Sequence, residues 1–263
     1  MRVFVWRARV LMVAATLLLT AGTAAAENLS GEKFGVLLMH GKGGTDKLVA
    51  SLASALRDAG AVVVTPLMPW SSTRIYDKSY EAAMAEIDER VAELRAQGAK
   101  RIVVAGHSLG ANAALGYGAR RDGLAGVVLL AYGHVPDKRG MARKLAGSVA
   151  KAREMVAAGK GGDTAEFLDF GGGNDTATAT ANDLLSWFDP AGPATFSKNA
   201  PDLKAATPAL CIDGERDKWK RCGEIMGLVP SHPASREIRV DASHKGTPAA
   251  SVDAVLAWLK TLN

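Results

Sequence analysis

Ser108 stands where this chain could make a nucleophile. Gly106-His107-Ser108-Leu109-Gly110 follows the apolar run Arg101-Ile102-Val103-Val104-Ala105 and precedes Ala111-Asn112-Ala113-Ala114-Leu115, which reads as a helix. A serine at a strand-to-helix junction, with glycine two places before and two after, is the pattern of a nucleophile elbow. The turn is so sharp that the serine backbone is strained and its neighbours must be small, and the hydroxyl is lifted into the cleft at the sheet edge. The helix that follows aims its N-terminal amides at the reacting oxygen. A serine hydroxyl is a weak nucleophile until a base takes its proton and a third group orients that base. Gly214-Glu215-Arg216-Asp217 and Ser243-His244-Lys245-Gly246 each follow a late apolar run and supply the residue types needed. Asp213 and Asp137 are rival carboxylates.

These residues need a scaffold, and the apolar runs describe one. Phe34–Met39, Ala61–Val64, Arg101–Ala105, Gly126–Ala131, Pro208–Ile212 and Glu237–Val240 read as strands. Between them, residues 45–59 read as a helix capped by Thr45 and stopped by Gly60, residues 78–97 as a helix ended by Gly98, and residues 110–120 as a third. A last helix is expected over about 248–261. Nearly continuous apolar strands alternating with helices mean a mainly parallel sheet covered on both faces. The alternation lapses over about 134–206, where helices are expected near 139–158 and 181–187, around a glycine-rich stretch at Gly171-Gly172-Gly173, and no strong strand is visible. That segment reads as a helical, cap-like insertion over the C-terminal edge of the sheet, where ligands bind in such sheets.

The order Ser, Asp, His, each just after a strand, resembles the α/β-hydrolase superfamily, in particular its small esterase, lipase and thioesterase members. The resemblance covers about residues 34–132 and 207–261 and rests on Leu38-Met39-His40-Gly41-Lys42-Gly43-Gly44, the elbow, the Gly214–Asp217 turn and His244. It implies the α/β-hydrolase fold, reduced from eight strands to about six because little chain precedes Phe34. It also implies a role for each motif residue. Ser108 maps to the nucleophile, His244 to the general base, and Asp217 to the acid, since the family places its acid at the end of a G-x-x-D turn. The oxyanion donors map to the backbone amides of Leu109 and Lys42, with Gly43 as the neighbouring choice. His40 is expected to orient the oxyanion loop, and His107 to pack beside the nucleophile without a catalytic role. His40, Trp70 and His134 are candidate substrate contacts, with the Pro66–Trp70 loop, Trp187 and Phe188 as candidate pocket walls. Trp219 and Trp258 read as structural.

The implied reaction is hydrolysis of a small-molecule carboxylic ester through an acyl-enzyme. Thioesterase, amidase or acyltransferase chemistry with the same three residues, or a non-catalytic binding protein on the same fold, are the alternatives. No histidine pair has the spacing of a zinc site, and the glycine-rich segments match neither G-x-G-x-x-G nor a complete phosphate-binding loop, so neither metal nor cofactor is expected. No basic patch with interleaved aromatics appears, so nucleic acid is not an expected partner.

Residues 1–26 form a separate unit. Arg2, Arg7 and Arg9 make a basic start, Val10–Ala21 is mostly apolar, and Ala24-Ala25-Ala26 offers an A-x-A cleavage site before Glu27. This is the pattern of a secretory signal peptide, leaving 27–263 as the hydrolase domain, periplasmic or secreted, with no stable membrane anchor after cleavage. Its removal takes 32 basic residues to 29 against 27 acidic ones, and the net charge from +5 to +2. Cys211 and Cys222 are the two cysteines. In an oxidising compartment they can close a disulfide around the 213–217 segment; the alternative is two buried thiols.

Overall fold

The computed structural model describes residue 29 and residues 31–170 and 176–262. The expected signal peptide at 1–26 and the glycines 171–173 lie outside the described residues.

Six strands, β1 (Phe34–Met39), β2 (Val62–Val64), β3 (Arg101–His107), β4 (Gly126–Leu130), β7 (Ala209–Gly214) and β8 (Arg236–Val240), form one sheet in the order β2-β1-β3-β4-β7-β8. Every pairing in it is parallel. Side chains alternate across the pleat, so each central strand feeds two cores. Leu37, Met39, Val104, Leu129 and Cys211 enter one core. Val36, Leu38, Val103, Val128, Leu130 and Ile212 enter the other. Helices α2 (Tyr80–Ala96) and α3 (Leu109–Arg120) close the first face with Ile87, Val91 and Leu115. Helices α1 (Ala50–Asp58) and α9 (Val252–Lys260) close the second with Leu52, Leu56, Val255 and Leu259. Burial on both faces is why these strands read as unbroken apolar runs.

The helix ends follow local chemistry. Ser79 accepts from the Ala82 amide at 3.1 Å and starts α2. Gly60 and Gly98, at φ +94° and +89°, end α1 and α2 in the left-handed region that glycine tolerates. Thr45 does cap, but the turn it caps is a short 3₁₀ helix, Asp46–Val49, that precedes α1. The last predicted helix is two: α8 (Thr247–Ala250) and α9 are separated at Ser251. The Ser251 hydroxyl donates to Thr247 O at 2.7 Å, the back-bonding that bends helices.

The insertion departs further from expectation. It contains α4 (Arg139–Ala157), α5 (Ala181–Phe188) and α6 (Phe196–Asn199), but also an antiparallel pair, β5 (Thr164–Leu168) and β6 (Thr176–Thr180). The insertion is therefore mixed, not helical. Thr176-Ala177-Thr178-Ala179-Thr180 does alternate, with Ala177 and Ala179 turned inward. Alanine has little strand preference, so the pattern is faint until Phe167 and the cover of α4 make that face worth burying. The short helix α7 (Cys222–Met226) lies between β7 and β8.

Candidate active site

Ser108 sits between β3 and α3 with φ 55° and ψ −113°, a conformation that costs a non-glycine residue energy and persists only where its surroundings dictate it. The surroundings do so by leaving no room. A Cβ on Gly106 would lie 2.2 Å from the carbonyl of Gly110, and one on Gly110 would lie 2.6 Å from His40 O. The Ser108 amide donates to Leu130 O at 2.9 Å, and Ser108 O accepts from Ala111, Asn112 and Gly133 amides. The turn is thus pinned to β4 and to the chain that follows it.

Two loops at the same sheet edge meet the serine. His244 Nε2 lies 3.0 Å from Ser108 Oγ, and His244 Nδ1 lies 2.6 Å from Asp217 Oδ2. Asp217 is buried, and its other oxygen accepts from the Trp219 amide at 2.9 Å. A buried carboxylate on Nδ1 fixes the proton there and leaves Nε2 to accept from the serine. The rival carboxylates are engaged elsewhere: Asp213 accepts from the Cys222 amide at 2.9 Å, and Asp137 from the Ser197 amide at 3.1 Å. Cys211 and Cys222 form a disulfide, closing the loop that carries Asp217.

The amides of the 40–44 loop differ in what they bond. The Gly43 amide is spent on Trp70 O at 2.8 Å, and the Gly44 amide on Gly41 O at 3.0 Å. The amides of Lys42 and Leu109 have no hydrogen-bond partner among the described residues. Leu109 opens α3, where the first amides of a helix are free by construction.

Four histidines cluster around this centre, and three are held neutral. His40 lies fully buried behind the loop: its ring meets Gly41 O at 2.7 Å and accepts from the Met68 amide at 3.1 Å. Burial lowers its pKa. His107 bonds His244 O at 2.9 Å, and burial, then the neighbouring His244, pulls it down to about 4. His134 bonds Trp187 O at 2.7 Å and is lowered to about 4 by burial.

A cavity of about 780 Å³ opens above Ser108, with Gly41–Thr45, Leu109, Tyr132–Val135 and His244 among its lining. The insertion contributes Lys138, Met141 and Phe170. Of the three candidate substrate contacts, His134 lines the cavity; His40 and Trp70 do not. Trp70 is buried with its indole N–H on His40 O at 2.8 Å, so it braces the 40–44 loop from behind. Trp187 and Phe188 are likewise interior, stacking edge-on against Tyr80 and Tyr76. Trp219, read as structural, is instead 54% exposed, lines the cavity and stands edge-on to His244 with ring centres 5.9 Å apart. Its position two residues after Asp217 is the signal the sequence offers.

The Lys42 side chain is folded inward. It pairs with Asp169 and donates to Phe170 O at 2.9 Å, both from the insertion. Side-chain exposure is 12% for Lys42 and 4% for Asp169. Burial lowers the lysine pKa against the opposing pull of Asp169. A residue offering a free main-chain amide to the cavity is thereby tied to the insertion through its side chain. Among the described residues, no three His, Cys, Asp or Glu side chains gather to hold a metal ion.

A sequence model of the alpha/beta hydrolase family matches residues 36–257. Among solved structures, one from a study of two metagenome-derived lipolytic enzymes, LipS and LipT, superposes with a TM-score of 0.63 at 17% identity, over 88% of this chain and 95% of the other. A monoacylglycerol lipase from Paleococcus ferrophilus gives 0.62 at 21% identity, over 87% and 95%. A thioesterase domain from the curacin biosynthetic pathway gives 0.51 at 16% identity, over 88% and 91%. No curated protein sequence matches the chain.

Proposed function

The chain belongs to the alpha/beta hydrolase family, and from that premise we propose that it is a serine hydrolase cleaving a small-molecule carboxylic ester through an acyl-enzyme. The observation that carries this reading is the hydrogen-bonded line Ser108–His244–Asp217, at 3.0 and 2.6 Å, on the floor of a cavity. Ser108 Oγ attacks the ester carbonyl as its proton passes to His244 Nε2. Asp217 stabilises the imidazolium that results. The carbonyl oxygen, now anionic, is held by the Leu109 and Lys42 amides, donors that need no rearrangement when the charge appears. His244 then returns the proton to the departing alcohol, and a water activated by the same ring releases the acid.

Two further parts of the reading rest on different features. The Cys211–Cys222 disulfide supports work in an oxidising compartment, with residues 1–26 as a removable signal. Among the described residues no helix is long and apolar enough to cross a membrane.

The test is turnover of short-chain aryl esters by the wild type and by Ser108→Ala. Loss of turnover by about 10⁴-fold or more, with an unchanged melting curve, is expected. Turnover retained in the variant contradicts the assignment.

A further inference from the structure

The cavity wall is one-sided in charge. Lys42, Lys47, Lys138, Arg221 and Lys245 line it, and among the described residues no Asp or Glu does. Lys42 is neutralised by Asp169. Lys138 and Arg221 share one carboxylate, Glu224. Lys47 and Lys245 are exposed and make no ion pair among the described residues.

Three of these cations, Lys47, Arg221 and Lys245, stand on the His244 side of the reacting centre. Lys245 follows His244, and Arg221 lies two residues after Trp219, whose ring stands against His244. The 3₁₀ helix that carries Lys47 packs against α8, which begins two residues after Lys245. The insertion supplies mostly apolar wall, from Val135, Met141 and Phe170, and its one lining cation, Lys138, is paired with Glu224. In acyl transfer the base returns its proton to the leaving atom, so the leaving group departs past that base. Side chains around His244 therefore meet the leaving group, while the apolar wall is left for the acyl chain.

We propose that the substrate is an acyl ester or thioester whose leaving group carries an anion, a carboxylate or a phosphate, received by Lys47, Arg221 and Lys245. This rests on the hydrolase reading of Ser108. The bond broken is the ordinary acyl bond; water supplies the hydroxyl to the acid, and the anionic alcohol or thiol leaves with the returned proton. The cations act before and during binding, by drawing the anion to a mouth that, among the described residues, is lined by cations and by no carboxylate.

The test compares 4-nitrophenyl hexanoate with 3-carboxy-4-nitrophenyl hexanoate, each rate normalised to spontaneous hydrolysis. At low ionic strength kcat/KM is expected to favour the carboxylated ester by about fivefold or more, the sum of a few exposed charge contacts. The ratio should fall toward unity at about 0.5 M salt, where such contacts are screened. In Lys47→Gln/Lys245→Gln the ratio should drop severalfold at low salt. Turnover of the neutral ester with no preference for the anionic one, or a preference indifferent to salt and to both lysines, overturns this inference and leaves the hydrolase reading standing. Turnover of neither ester by folded protein removes both.

Discussion

Asp169→Asn isolates the ion pair beneath the cavity. The substitution keeps the side chain's size and one acceptor oxygen but removes the charge that answers Lys42. What remains around the ammonium is Phe170 O at 2.9 Å and the rings of Tyr76 and Phe188 at 5.9 and 5.7 Å. Lys144 adds repulsion. With so little solvent reaching either partner, breaking the pair should cost about 3–5 kcal/mol. The ceiling is the lysine's alternative, to fold neutral: releasing its proton at pH 7 from an ordinary pKa near 10.4 costs about 4.6 kcal/mol. For a chain of this size, a loss of about 3 kcal/mol lowers Tm by roughly 6–12 °C. The pH dependence follows from the direction of the shift. In the variant the folded lysine titrates further below its unfolded value, so the unfolded chain binds the extra proton. The deficit is therefore full at pH 7 and shrinks as pH rises through about 10.4, where the lysine is neutral in both states. Denaturant unfolding of wild type and Asp169→Asn at both pH values measures this. Lys42→Met/Asp169→Leu, which removes both charges, should recover to within about 1 kcal/mol of wild type. A loss below about 1 kcal/mol at pH 7, or an equal loss at both pH values, refutes the reasoning.

Gly133→Ala puts a methyl 2.5 Å from Ser108 Oγ; displacing the nucleophile should lower kcat on the order of 100-fold while Tm moves little, measured by ester turnover beside calorimetry. Reducing the Cys211–Cys222 disulfide, which spans 11 residues, should cost about 3 kcal/mol and slacken the loop that holds Asp217. A melting curve and turnover rate indifferent to reductant count against that bracing role. His134, with its folded pKa lowered to about 4, binds its proton more readily when unfolded. Its contribution of up to about 3 kcal/mol is complete above about pH 6.5 and is lost as pH falls toward 4. His134→Gln should therefore flatten the acid limb of stability against pH, and an unaltered limb would show that the burial cost lies elsewhere.

What could be read along the chain was what short-range sterics dictate. The elbow demands glycine at 106 and 110 because backbone from β1 and α3 passes within 3 Å of where a Cβ would be, and that demand is written in five consecutive residues. The central strands β1, β3, β4 and β7 were equally plain, because burial on both faces makes each an apolar run; the half-exposed β5 and β6 were not. The walls of the cavity were not. His40 opens the 40–44 loop and Trp70 closes the Pro66–Trp70 loop beside it in space, but both face the back of the 40–44 loop, and nothing in residue type tells front from back. Nothing in the sequence marks Lys42 as paired, because its partner, Asp169, lies 127 residues away with no spacing to announce it. Trp219 looked like core because tryptophan usually is; its exposure follows from the tight Asp217–Trp219 turn, which projects it over His244.

The central claim is that Ser108 is an activated nucleophile, and a fluorophosphonate reads activation without a guess at the substrate. Folded wild-type protein would be treated with the probe and the adduct located by peptide mass spectrometry, beside Asp217→Ala and Ser108→Ala. A single stoichiometric adduct on Ser108, formed far more slowly in Asp217→Ala and absent in Ser108→Ala, is the expected result. Folded wild-type protein that stays unlabelled at Ser108, or that labels equally fast without Asp217, would contradict the account.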